Sequence, residues 1–108
     1  MKILFVEDDA FCADTQRGIA EALKLDYRFA STYQQACEAL DEDKFDIVVT
    51  DFNFPGGNGD LVSKLARDSG VRAVYLFSSD PSAVGCYTQS LGKDFLLLRS
   101  ILTQSIKV

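Results

Sequence analysis

The sequence predicts an α/β domain in which helices cover both faces of a five-stranded parallel sheet. Apolar runs of strand length alternate with segments of helical period, which is the pattern of repeated βα units. Two of these runs are followed by acidic residues: residues 2–6 lead into Glu7 and Asp8, and residues 46–50 lead into Asp51. Ligands of open parallel sheets bind beyond the carboxyl ends of the strands, so we expect the functional site there.

Length and composition limit the functions that the chain could have. We expect 108 residues to form a single domain over residues 1–108, without an attached output domain. The net charge of -5 and the scattered Lys and Arg residues argue against direct binding to nucleic acid. No apolar run approaches the length of a membrane span and no signal-peptide pattern is present, so we expect a cytoplasmic protein without a membrane partner.

The chain contains no histidine and three cysteines. The lack of histidine removes the commonest general base and zinc ligand, so covalent chemistry would have to use a carboxylate, a hydroxyl or a thiol. Cys12, Cys37 and Cys86 are an odd number without the short spacing of metal ligands. We expect them to be buried, reduced thiols within helices.

The first part of the chain shows two helical segments around a short strand. Apolar residues that recur at intervals of three and four predict a first helix over residues 10–25, and a short strand follows over residues 27–30. Thr32 and Gln35 have the spacing of a capping box and predict the start of a second helix. The acidic residues 41–43 are expected to end it.

The middle of the chain predicts a strand, a turn, a helix and another strand. Residues 46–50 form the third predicted strand, and a glycine-rich turn separates it from a helix that contains residues 61–66. Gly70 is the expected end of that helix. The apolar run over residues 71–77 then predicts the fourth strand.

The last part of the chain predicts a helix, a strand and a short final helix. Asp80 and Pro81 are typical of a helix start and predict a fourth helix over residues 83–91, with Gly92 at its end. The apolar residues 95–98 predict the fifth strand. A short final helix would follow, with an apolar face formed by Ile101, Leu102 and Ile106.

Asp51 is the strongest candidate for a chemical role. Glu7 and Asp9 could serve only to cap the first helix, whereas Asp51 is followed by Pro55 and three glycines, so no helix begins there to be capped. The carboxylates of Glu7, Asp8 and Asp51 would repel one another unless a divalent cation joined them. We interpret the strand ends as a magnesium site with a nucleophilic aspartate.

Three segments together resemble the receiver domains of two-component response regulators, in particular the single-domain, chemotaxis-regulator-like ones. They are residues 6–9 after the first strand, residues 51–59 after the third and residues 77–79 after the fourth, and the resemblance extends over essentially the whole chain. It implies a flavodoxin-like fold with strand order 2-1-3-4-5.

The resemblance also implies roles for individual residues and partners. Asp51 would accept a phosphoryl group, Ser78 would be the switch hydroxyl, and Mg²⁺ would be bound by Glu7, Asp8, Asp51 and the backbone carbonyl of Asn53. The donor would be a sensor histidine kinase or a phosphotransfer protein. A downstream target would bind around the fourth helix and fifth strand. Whether the domain forms a homodimer is left open by the resemblance. Such a domain is no enzyme beyond its own phosphotransfer and dephosphorylation.

One expected feature of the family is missing from the predicted fifth strand. Receiver domains end this strand with a lysine that bonds a phosphoryl oxygen. Counting from Gly92 puts Arg99 at the lysine position, whereas matching Phe95 to the family's aromatic residue puts Leu98 there. We favour Arg99 as a substitute for the lysine, although arginine and lysine are not equivalent at a tight phosphate site.

Three functions therefore stay open. The first is a phosphorylatable, stand-alone receiver. The second is a pseudo-receiver, a protein-interaction module without regulated phosphorylation, which only the missing lysine supports. The third is a phosphatase of the haloacid-dehalogenase type with Asp51 as nucleophile, but that class needs a second acid two residues further on, where this chain has Asn53.

Overall fold

The computed structural model describes residues 1–107, and strands and helices alternate through most of this length. No helix of this described part has both the length and the apolarity to cross a bilayer. In chain order, the elements are β1 (Lys2–Val6), α1 (Ala10–Ala22), β2 (Asp26–Ala30), α2 (Tyr33–Glu42), β3 (Ile47–Thr50), β4 (Asn53–Phe54), β5 (Gly57–Asn58), α3 (Gly59–Asp68), β6 (Ala73–Leu76), β7 (Gln89–Ser90) and α4 (Phe95–Ile106).

The main sheet has five parallel strands in the order β2-β1-β3-β6-β7. This confirms the predicted flavodoxin-like order 2-1-3-4-5. The strands β4 and β5 form a separate antiparallel hairpin between β3 and α3. In the main sheet, Val6 at the end of β1 pairs with Thr50 at the end of β3. The residues that follow these two strands are therefore neighbours at one edge of the sheet.

Two apolar cores lie on opposite faces of the sheet. Successive residues of β1 point to alternate faces, so Leu4 and Val6 pack in one core while Ile3 and Phe5 pack in the other. The core that contains Leu4 is covered by α2 and α3, and the one that contains Phe5 is covered by α1 and α4. Burial on both faces explains why the central strands are almost wholly apolar.

The starts of α1 and α2 agree with the sequence signals. Asp9 caps α1, because its carboxylate accepts hydrogen bonds from the backbone N–H groups of Phe11 and Cys12. Thr32 caps α2 by accepting from the N–H of Gln35 at 3.1 Å. The Gln35 side chain accepts in return from the backbone N–H of Ser31 at 2.8 Å.

The predicted fourth helix is wrong. Residues 77–88 form neither helix nor strand, and they lead directly into β7. Asp80 still accepts a hydrogen bond from the N–H of Ser82 at 2.8 Å, but this closes a turn instead of starting a helix. Gly92 has a φ of +61° and lies in the turn after β7, so it ends no helix.

The predicted fifth strand is wrong as well. Residues 95–98 form the first turn of α4, whose N-terminus is capped by the Asp94 carboxylate through the N–H of Leu97 at 3.0 Å. A short apolar run fits a strand and a buried helix equally well, and here Leu98 and Leu102 bury one face of a helix. The fifth strand is the polar, exposed pair Gln89–Ser90.

The cysteines only partly follow the prediction. All three are free thiols, with Cys12 and Cys37 half-buried on helices. Cys86 is exposed in the irregular segment before β7, because the helix that was expected to bury it does not form.

Candidate functional site

Three carboxylates meet where β1 and β3 end. Glu7, Asp8 and Asp51 each offer one oxygen, and these oxygens lie within 4.8 Å of one another. Glu7 is buried, Asp51 is half-buried and Asp8 is exposed, so the cluster opens to solvent on one side. The structure thus brings together the three acidic residues that the sequence assigned to one site.

The carboxyl group of Glu7 has a perturbed pKa. Burial, together with the negative charge of Asp51, raises the pKa of Glu7 to about 7. The nearby cation of Lys93 and a hydrogen bond from the N–H of Asp9 act in the opposite direction. Glu7 Oε1 is buried and accepts no hydrogen bond from any described residue.

The cluster fits a magnesium ion. Hard divalent cations take oxygen ligands, and three converging carboxylates supply them. The buried Glu7 Oε1 has no hydrogen bond among residues 1–107, although such an atom normally has a partner. A cation bound by Glu7, Asp8 and Asp51 would provide that partner and offset their mutual repulsion.

Lys93 supplies the cation that the sequence analysis assigned to Arg99. Its Nζ lies 3.5 Å from Asp51 Oδ1 and 3.8 Å from Glu7 Oε1. Lys93 follows β7 closely, which brings it to the same sheet edge as the acidic cluster. Arg99 is instead exposed on α4 and Leu98 is buried in the core, so the prediction that one of them takes the lysine position is wrong.

A tight turn holds the backbone of Asp51. Its N–H donates to the carbonyl of Val6 at 2.9 Å, and its Oδ1 accepts from the N–H of Phe52 at 2.7 Å. Gly59 packs against this turn so closely that a Cβ there would lie 2.6 Å from the Asp51 carbonyl oxygen and 2.7 Å from Tyr87 Oη. Any side chain at Gly59 would displace Asp51 or Tyr87.

Ser78 lies at the end of β6, beside the acidic cluster. The preceding residue, Phe77, donates its N–H to the carbonyl of Thr50 at 2.8 Å, which places Ser78 next to the segment that carries Asp51. Ser78 is buried, and its Oγ accepts from the N–H of Asp80 at 3.1 Å. The hydroxyl proton remains available as a donor. Ser78 thus follows the strand that the sequence predicted it to follow, and its role as the switch hydroxyl stays a prediction.

Asn53 and Asp80 connect the loops on either side of the site. Asn53 lies on β4, and its Nδ2 donates to Asp80 Oδ2 at 3.2 Å. The hydrogen bond from the N–H of Ser82, together with that from Asn53, lowers the pKa of Asp80. The expected role of the Asn53 carbonyl as a metal ligand stays a prediction.

Comparison with known families and structures identifies the class. Residues 3–96 match the family of response regulator receiver domains, so the chain belongs to this family. No curated protein sequence matches the chain.

Solved structures with this fold include several receiver domains. The receiver domain of the sensor histidine kinase PA1611 from Pseudomonas aeruginosa PAO1, with a magnesium ion coordinated in its active site cleft, is 16% identical with a TM-score of 0.84, over 99% of this chain and 98% of that one. A response regulator receiver domain (CheY-like) from Methylobacillus flagellatus is 23% identical with a TM-score of 0.81, over 96% of this chain and 97% of that one. The chemotaxis response regulator CheY4 of Vibrio cholerae is 20% identical with a TM-score of 0.82, over 95% of this chain and 96% of that one.

Proposed function

We propose that this receiver domain accepts a phosphoryl group on Asp51 from a sensor histidine kinase or a phosphotransfer protein. The observation that carries the proposal is the position of Lys93 Nζ, 3.5 Å from Asp51 Oδ1 in a cluster of three carboxylates. A cation beside a half-buried carboxylate can neutralise the charge of an incoming phosphoryl group, which is the main requirement of phosphoryl transfer.

The transfer exchanges one bond to phosphorus for another. A carboxylate oxygen of Asp51 forms a bond to phosphorus while the bond from phosphorus to the donor's histidine nitrogen breaks, and that nitrogen keeps the electron pair. Lys93 then pairs with one phosphoryl oxygen, and the Ser78 hydroxyl donates a hydrogen bond to another. Glu7, Asp8 and Asp51 would hold a magnesium ion, which would supply positive charge for the phosphoryl oxygens.

The output would be a change of shape near the end of the sheet. Movement of Ser78 towards the phosphoryl group would shift residues 77–88 and β7, which replace the fourth helix of the sequence-based prediction. We expect the target protein to bind this surface. The three free cysteines fit the reducing cytoplasm, where we expect the protein to act.

The pseudo-receiver alternative loses its support. It depended on a missing lysine at the end of the fifth strand, and Lys93 follows the fifth strand of the structure within reach of Asp51. Each residue type that the chemistry requires is therefore present at the site.

Intact-mass measurement tests the proposal. Acetyl phosphate with magnesium should add one phosphoryl group to the wild type and none to Asp51→Asn. Asp41→Asn is a matched control, because Asp41 is an exposed acid on α2 outside the acidic cluster. A wild type that never gains a phosphoryl group, from acetyl phosphate or from phosphohistidine donors, would contradict the proposal.

A further inference from the structure

An irregular segment lies on α3 where the sequence predicted a fourth helix. We call residues 84–88 the strap. Asp60 of α3 binds it at one end: the N–H of Val84 donates to both carboxylate oxygens, at 3.2 and 3.1 Å. The hydroxyl of Tyr87 donates to Asp60 Oδ1 at 2.7 Å. One carboxylate thus holds two residues of the strap.

Two further side chains of α3 hold the rest of the strap. Ser63 Oγ accepts from the N–H of Cys86 at 2.9 Å. Arg67 donates through Nε to the carbonyl of Cys86 at 3.1 Å and through Nη2 to Thr88 Oγ1 at 2.7 Å. We call Asp60, Ser63 and Arg67 the clasp. Their spacing of three and four residues places them along one side of the helix.

Gly85 allows the strap to lie this close to α3. A Cβ at this position would be 2.4 Å from Ser63 Oγ and 2.8 Å from Asp60 Oδ1. Contacts that short do not occur, so any other residue at Gly85 would force the strap away from α3 or displace the Ser63 and Asp60 side chains. The glycine and the clasp are therefore parts of one arrangement.

The strap lies between two residues of the acceptor site. Ser78 precedes it, and beyond it the chain passes through β7 to Lys93. Residues 77–88 contain no regular secondary structure. Backbone hydrogen bonds hold the two ends, from the N–H of Phe77 to the carbonyl of Thr50 and from the N–H of Thr88 to the carbonyl of Val74, so side-chain contacts must fix the residues between them. Apart from the clasp, these contacts include the Asn53–Asp80 hydrogen bond, the N–H of Val74, which donates to Thr88 Oγ1 at 3.0 Å, and the packing of Tyr87 against the core beneath α2 and α3.

We infer that Asp60, Ser63 and Arg67 are positioning residues that hold Ser78 and Lys93 ready for the phosphoryl group on Asp51. The inference rests on the proposed function. A site whose donors are fixed in advance binds its ligand more tightly and reacts faster than one whose donors must first be ordered. Releasing the strap would let both donors move and weaken the site for the phosphoryl group.

The metal ligands should not share this dependence. Glu7 and Asp8 follow β1 and Asp51 follows β3, and none of the three forms a hydrogen bond with the strap or the clasp in the described part of the chain; the Asp51 turn lies near Tyr87 of the strap across Gly59. Loss of the clasp should therefore reduce affinity for a phosphoryl group while it preserves affinity for magnesium. A general loss of structure would instead weaken both.

The test uses beryllofluoride as a phosphoryl mimic in the presence of magnesium, with calorimetric titration of wild type and variants. Gly85→Ala should lift the strap without removing a polar group, and Asp60→Ala should remove its largest anchor. Asp60→Asn keeps an acceptor oxygen and should restore most of the affinity. Lys64→Ala is the matched control, because Lys64 is on the same helix and pairs with Asp68, away from the strap.

We expect Gly85→Ala and Asp60→Ala to bind beryllofluoride about tenfold more weakly and to phosphorylate more slowly. Their magnesium affinity should stay within about twofold of the wild-type value. If both variants bind beryllofluoride as the wild type does, the positioning role is overturned and the proposed function stands. If the wild type binds no beryllofluoride and gains no phosphoryl group, the proposed function fails, and the positioning role fails with it.

Discussion

Lys93 Nζ lies 3.5 Å from Asp51 Oδ1, although β6 separates the two strands that these residues follow. Both residues come after carboxyl ends of parallel strands, so the topology brings them to one edge. Lys93→Ala should slow phosphorylation of Asp51 by one to two orders of magnitude, because it removes the fixed cation beside the acceptor. Mass spectrometry at timed intervals with acetyl phosphate measures the rate.

Arg99→Ala is the control for this experiment. Arg99 is exposed on α4, and its removal should leave the phosphorylation rate unchanged. Equal rates in wild type and Lys93→Ala, or a slow Arg99→Ala, would contradict the assignment of the lysine position.

Magnesium should stabilise the folded protein. For a dissociation constant of about 1 mM, about 10 mM magnesium adds about 1.4 kcal/mol to the free energy of unfolding. Asp8→Ala should abolish the shift, and without metal it should be no less stable than the wild type, because one of three mutually repelling carboxylates is gone. Urea titrations with and without magnesium measure both effects, and a wild type insensitive to magnesium would refute the prediction.

The stability of the metal-free protein should fall as the pH rises towards neutrality. The pKa of Glu7 is raised from 4.5 to about 7 in the folded state, so the folded protein binds this proton more tightly than the unfolded chain does. The resulting stabilisation is complete below the unfolded pKa and is lost as the pH rises through about 7.

Urea titrations between about pH 5 and pH 8 would detect this loss, which should amount to a few kcal/mol at most. Glu7→Gln carries no titrating group and should remove the dependence. Saturating magnesium should flatten it as well, because the cation favours the ionised carboxylate. A metal-free wild type whose stability does not change over this range would show that Glu7 has an ordinary pKa.

The lifetime of the phosphoryl group should depend on the loops joined by Asn53 and Asp80. Both side chains are small and polar, and they bond to each other at 3.2 Å beside the site. We expect rapid self-dephosphorylation, because side chains of this size should leave room for a water molecule in line with the phosphorus. Asn53→Arg should obstruct that path and slow the loss of phosphate several-fold, as measured by decay of the phosphorylated mass. Identical decay in both forms would mean that water access does not limit the reaction.

A pair of leucine substitutions tests the assignment of α4. Leu98 is fully buried and Leu96 is 81% exposed, although both lie in the same apolar run. Leu98→Ala should cost about 2–5 kcal/mol of stability, whereas Leu96→Ala should change it by less than about 0.5 kcal/mol. In a strand, residues two positions apart face the same side of the sheet, so Leu96 and Leu98 would be buried alike and the two substitutions would have similar effects.

The sequence predicted the part of the site that lies on the central strands. β1 and β3 are buried on both faces, so their apolar runs are unmistakable, and the acids that follow them are easily identified. The same reasoning failed at Lys93. The strand before it, Gln89–Ser90, is exposed at the sheet edge and needs no apolar residues, so it gives no signal in the sequence.

The missing fourth helix has a related cause. Asp80 and Pro81 are typical of a helix start, but the following segment bonds to α3 through Asp60, Ser63 and Arg67. These long-range contacts are made between polar side chains and backbone groups and leave no periodic pattern in the sequence. Gly85 was the available signal, because glycine disfavours a helix and permits close approach of the backbone.

The hydrogen bonds along the outer edge of β6 also affect the tendency of the protein to aggregate. An edge strand with free backbone groups can pair with the same strand of another molecule and start aggregation. Here Thr88 bonds both backbone groups of Val74, accepting from its N–H at 3.0 Å and donating to its carbonyl at 2.7 Å, and Arg67 Nη1 donates to the carbonyl of Arg72 at 2.8 Å. Only the two-residue strand β7 remains at the edge. Intermolecular sheet formation on this side of the molecule is thereby disfavoured.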